Sequence, residues 1–192
     1  MAKQGVETGA FGKWLTDYLK GIPEYADYQV FYDHGDTSVE SNVAVPKGIF
    51  GKEATNLTRI ADVDVVIVEP GNNIVVLFEI EEREVSPKEI LGNTFACLIS
   101  NKFAVKLNKE QRYFEIASTT RLVVAGTVPD NGVRIKKIQE TILPRIVAFA
   151  GLPDAISPAN VTLYFAADLA DTIAFLKNLV LKTFPGSTTE RP

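Results

Sequence analysis

Sulfur and imidazole are nearly missing from this chain of 192 residues, which has one cysteine, Cys97, and one histidine, His34. A single thiol excludes an internal disulfide and a cysteine-rich zinc site. A single imidazole excludes multi-histidine metal sites, HExxH chemistry among them. A Ser-His-Asp hydrolase would have to use His34, and no GxSxG elbow is present. Long apolar runs are absent too: Ile74–Phe78 and Ile146–Leu152 fall far short of a membrane span. The opening Met-Ala-Lys-Gln-Gly lacks the apolar core of a secretory signal. The expectation is an intracellular, cytoplasmic protein without a membrane partner.

What is there suits one folded domain over residues 1–192, since 46% of residues are hydrophobic and 23% charged. The net charge of −4 hides an asymmetry. Residues 53–94 hold nine acids against three bases, whereas residues 101–145 hold nine bases against four acids. An acidic cluster beside a basic half fits an enzyme that holds a divalent cation and grips a polyanion. It equally fits ordinary solvated faces.

Hydrophobic spacing gives the elements. Phe11, Trp14, Leu15, Tyr18 and Leu19 predict a helix over Gly9–Lys20, ended by Gly21-Ile22-Pro23. Tyr28–Tyr32 reads as a strand, and Asp33–Thr58 as a long excursion. Ile60–Val68 and Ile74–Ile80 are rich in Val and Ile and flank Glu69-Pro70-Gly71-Asn72-Asn73. Proline followed by glycine suits a type II turn, so the two runs predict a hairpin. Ser86-Pro87-Lys88-Glu89 is a capping box that starts a helix with Ile90, Leu91, Thr94, Phe95 and Leu98 on one face. Residues 101–115 are basic and show no clear period. Thr120–Val128 and Val161–Ala166 read as strands, and Gly132–Ala150 and Leu169–Phe184 as helices, the first interrupted by Pro144. Hairpins together with crossover helices imply an α/β fold with a mixed central sheet flanked by helices.

Alternation along the hairpin brings acids together. Asp62 and Asp64 share one face of the first run, and Glu79 and Glu81 one face of the second. With the turn near Gly71, Asp64 faces Glu79 and Asp62 faces Glu81, so four carboxylates gather at the end away from the turn. Like charges so placed repel. A hard cation such as Mg²⁺, which takes oxygen ligands, removes the conflict. The competing expectation is a set of acids that merely solvate a strand end.

Asp64-Val65-Val66-Ile67-Val68, the turn, and Val75-Val76-Leu77-Phe78-Glu79-Ile80-Glu81 together resemble the PD-(D/E)xK, restriction endonuclease-like, nuclease superfamily. The resemblance implies an αβββαβ core over about residues 7–128, and the elements read beyond it make a C-terminal αβα extension over about residues 129–184. It implies Mg²⁺-dependent hydrolysis of phosphodiester bonds in DNA, with Mn²⁺ as a substitute, a type II restriction endonuclease being one form of such an enzyme. Asp64 takes the family's Asp and Glu79 its first acid. Glu81 falls where the family usually carries Lys and Lys88 could supply a relocated amine; otherwise Glu81 acts as a base or second metal ligand. Glu7 resembles a helical Glu that many members add to the metal shell, and Asp62 stands as a further ligand. Lys102, Lys106, Arg134, Lys136 and Lys137 are candidates for phosphate contacts. Arg59 is placed either to reach DNA or to pair with the acidic cluster. A double-strand cut would need a homodimer. The alternative is a non-catalytic nuclease-like module that binds nucleic acid or a partner protein.

Overall fold

Phe11, Leu15 and Leu19 recur every fourth residue and bury the inner face of α1, Val6–Lys20. The computed structural model describes residues 5–84, 86–128, 140 and 156–186, and in it α1 starts three residues before the expected Gly9. Two glycines let this helix lie close on β1, Gln29–Tyr32. A Cβ on Gly9 would stand 2.5 Å from the His34 backbone oxygen, and one on Gly12 2.3 Å from the Tyr32 ring.

The excursion after β1 contains a short strand, β2, Lys47–Ile49. What reads in sequence as one run, Ile60–Val68, is two strands, β3, Arg59–Asp62, and β4, Val65–Val68. The break at Val63-Asp64 is fixed by two backbone bonds, Val63 N–H to the Pro46 carbonyl and Asp33 N–H to the Asp64 carbonyl, both 2.9 Å. β3 leaves to pair with β2, and β4 pairs on its two sides with β1 and with β5, Asn73–Glu84.

The β4–β5 hairpin has the expected register, with Val65 opposite Phe78 and Val66 opposite Leu77. Its turn differs. Asn72, at φ 64°, takes the left-handed conformation expected of Gly71. The Asn72 N–H closes the turn onto the Glu69 carbonyl at 3.0 Å. A residue in αL following the turn is the three-residue hairpin pattern, and asparagine tolerates αL.

The capping box forms as read. Ser86 N–H donates to Glu89 Oε2 at 2.8 Å, Glu89 N–H returns to Ser86 Oγ at 3.3 Å, and α2 runs Pro87–Ile99. Ile90, Thr94, Cys97 and Leu98 are buried, but Phe95, expected in the core, is 45% exposed. The basic stretch after α2 is a hairpin of β6, Lys102–Leu107, and β7, Glu110–Thr127, turned through Asn108 and Lys109, both at positive φ. The expected helix over residues 132–150 lies outside the described residues. β8, Val161–Ala166, and α3, Leu169–Thr183, close the chain as expected.

The sheet is mixed, ordered β1-β4-β5-β7-β6-β2-β3, with β8 parallel to the C-terminal part of β7. β5 and β7 are parallel and the α2 segment connects them. Strand alternation sorts the core into two layers. Val65, Ile67, Phe78 and Ile80 pack under α1 and α3, whereas Val66, Val68 and Leu77 pack with α2 and the β6–β7 hairpin. No helix of the described residues is long and apolar enough to cross a membrane.

Candidate active site

β5 runs beyond the start of β4, so residues after Phe78 have no β4 partner and meet the Asp64 turn instead. Parity decides where each acid points. Glu79 and Glu81 share the face of Leu77 and look toward α2, and Glu82 shares the face of Phe78 and Ile80 and looks toward α1.

Asp64 is tied to β5 through its side chain: the Ile80 N–H donates to its Oδ2 at 2.6 Å. Burial raises the Asp64 carboxyl to about 7 against the Ile80 bond, and the charges of Glu81, Asp33 and Glu82 push the same way. Glu79 is 8% exposed, and its carboxyl lies well above the ordinary range, first from burial and then from the charges of Asp64 and Glu81. Glu81 is half-buried and also raised, chiefly by desolvation, with Arg83 opposing. Asn93, in the second turn of α2, donates from Nδ2 to Glu79 Oε1 at 3.1 Å and to Glu81 Oε1 at 2.7 Å. Glu79 Oε2 is buried without a hydrogen-bond partner. Cys97, one turn beyond Asn93, is fully buried, and desolvation and the same acids keep its thiol protonated.

Asp64, Glu79 and Glu81 therefore come together as the sequence predicts, and Asp62 does not. With β3 paired to β2, Asp62 stands opposite Lys47 rather than Glu81. It is exposed and held by Arg59, whose Nε donates to Asp62 Oδ1 at 2.7 Å. Of the two roles expected of Arg59, the structure shows the ion pair, made with Asp62. Glu7 sits exposed in the first turn of α1, whose N-terminus faces this end of the sheet. Glu82 holds that terminus, accepting the Gly5 N–H at 2.8 Å and the Thr8 N–H at 2.6 Å. Lys88 is exposed in the first turn of α2, and the cation that acts on Glu81 is Arg83.

Of the candidate phosphate contacts, Lys102 lies over the Tyr113 ring at 5.8 Å and Lys106 is exposed. Lys102 pairs with Glu115, which pairs with Asn73, six residues back along β5 from Glu79. At about 3.3 Å per residue, β6 therefore lies about 20 Å along the sheet from the carboxylates. Arg134, Lys136 and Lys137 lie outside the described residues.

Four neighbours escaped the sequence reading. Asp33 follows β1 as Asp64 precedes β4, and Tyr32 opposite Val65 puts them side by side. Arg83 continues the face of Glu79 and Glu81, so the same alternation marks it. Glu82 and Asn93 needed the helices in place.

The donor set suits a hard divalent cation. Carboxylate oxygens dominate, and one of them is buried and unpartnered. Among the described residues no group of three or more His, Cys, Asp or Glu side chains encloses an ion position. Asp64 and Glu79 offer two ligands, and Mg²⁺ commonly keeps water and substrate phosphate in its remaining positions. Compared with known proteins, the chain matches no family model, no curated protein and no solved structure.

Proposed function

We propose that the chain is a Mg²⁺-dependent endonuclease that hydrolyses phosphodiester bonds in DNA, built on a PD-(D/E)xK-type core. One observation carries the reading: a part-buried Asp64 stands beside a buried Glu79, whose Oε2 has no partner. Burying two repelling acids without a cation is costly, so such a pair points to a site kept for binding. The order α1-β1-β4-β5-α2-β7, with β1, β4 and β5 antiparallel and β7 parallel to β5, supports it. With β2–β3 and β6 taken as insertions, that order is compatible with the αβββαβ arrangement the resemblance implies.

In this reading Asp64 and Glu79 hold the ion, which when bound activates water and neutralises phosphate charge. Glu81 Oε2, not engaged by Asn93, is the atom placed to accept a proton from the attacking water. Desolvation raises its pKa, which makes it a stronger base than an ordinary carboxylate. Arg83, on the same strand face, offers its charge to a phosphate oxygen. One centre cuts one strand, so a double-strand cut takes two copies of the chain. The test is cleavage of supercoiled plasmid in Mg²⁺ by the wild type and Glu79→Ala. Cleavage by the wild type alone is expected, and equal cleavage overturns the assignment.

A second reading has its own support. Glu81 stands where the resemblance places a Lys, and Lys88 is exposed in the first turn of α2. A non-catalytic module binding nucleic acid or a partner protein fits those two facts. Calorimetry separates the readings, since such a module takes up no Mn²⁺.

A further inference from the structure

We propose that Asn93 is the positioning residue of the carboxylate centre, holding Glu79 and Glu81 by one oxygen each and leaving the other free, that of Glu79 for the ion and that of Glu81 for the water. The inference rests on the metal-binding reading above and adds a residue to it.

Glu79 and Glu81 lie two residues apart on one strand face, where like charges repel and the side chains would splay. The Asn93 amide sits between them and spends both of its N–H bonds there, at 3.1 and 2.7 Å. The opposite amide orientation would set its oxygen against two carboxylates, so the hydrogen bonds fix it. Each Glu is gripped by Oε1, which leaves Oε2 available, and Glu79 Oε2 is the buried, unpartnered atom.

The placement is built from the helix start. The Ser86–Glu89 capping box fixes the first turn of α2, and Arg83 on β5 reaches Glu89 at 3.4 Å. Asn93, one turn past Glu89, is thereby directed at the strand. An amide differs from the usual amine in one respect: it orients the acids without cancelling their charge, so their attraction for a cation is kept. Groups that orient metal ligands in this way typically change metal affinity 10–100-fold when removed.

The test is Mn²⁺ calorimetry and thermal melting of the wild type, Asn93→Ala and Asn93→Gln. The alanine variant is expected to bind Mn²⁺ about 10–100-fold more weakly. Its metal-free melting should fall by the loss of two hydrogen bonds, so affinity is compared at a temperature where both proteins are folded. Asn93→Gln, which keeps the NH₂ on a longer stem, should recover part of the affinity. If the alanine variant fails to fold, Asn93→Ser, with one hydroxyl for two acids, carries the same comparison. Unchanged affinity in a folded variant overturns the role of Asn93 and leaves the metal site standing. A wild type that takes up no Mn²⁺ overturns the metal site and this inference together.

Discussion

Asp64 accepts the Ile80 N–H at 2.6 Å, which anchors its carboxylate to β5 at the residue next to Glu79. The two acids are thus held near each other by the backbone before any ion arrives. A centre held this way carries a standing electrostatic cost, and that cost is measurable.

The first consequence is a pH dependence of stability. The Asp64 carboxyl rises from 3.8 to about 7 in the folded protein, and Glu79 rises as well. Between those values the folded state keeps protons that the unfolded chain has released. Stability with a chelator present should therefore be greatest near pH 4 and fall as pH rises toward 7. The slope is about 1.4 kcal/mol per pH unit for each proton retained, levelling above the folded pKa. Urea unfolding at a series of pH values checks this, and a rise in stability from pH 5 to 7 would contradict it.

Glu79→Gln should stabilise the metal-free protein at pH 8, by about 1–3 kcal/mol. The substitution removes a buried charge and gives Asp64 a donor in place of a repelling acid. The same variant should lose Mn²⁺ binding. Gain in stability with loss of binding marks a residue retained for function. Unfolding curves in chelator, paired with calorimetry, report both.

Asp62→Ala should leave Mn²⁺ affinity unchanged, because Asp62 faces Lys47 and Arg59 and not the buried acids. The exposed pair with Arg59 is worth at most about 1 kcal/mol, so little stability should be lost. A large fall in Mn²⁺ affinity would restore Asp62 to the centre.

Glu82→Ala should cost about 1–2 kcal/mol, the usual range for a helix cap with a charge at the N-terminus. Glu82 bonds the Gly5 and Thr8 amides, and the Gly5 cap position has no side chain of its own for the purpose. Loss of amide-exchange protection should concentrate in the first turn of α1. Protection unchanged there would show that the cap is not what holds the helix end.

The architecture was largely legible because its signals are local. Leu15 and Leu19 give a helical stripe, Ser86 and Glu89 a cap, and Val65–Val68 against Ile74–Phe78 a hairpin register. That register was enough to set Asp64 beside Glu79. Where the run from Ile60 to Val68 breaks was not legible, since Val63 turns on a bond to Pro46, a partner distant in sequence. Asp62 was misplaced for that reason alone. The β6–β7 hairpin was hidden because Lys109 stands in a left-handed position that sequence rules give to glycine or asparagine. Asn93 and Glu82 act across elements, and only packing α1 and α2 on β5 shows what they touch.

The most direct measurement is a calorimetric titration of the metal-free protein with Mn²⁺ at pH 8, set beside Glu79→Gln. One site in the wild type and none in the variant is the predicted result. No heat of binding in the wild type, or equal binding by the two proteins, would contradict the claim that Asp64 and Glu79 are set side by side to hold a divalent ion.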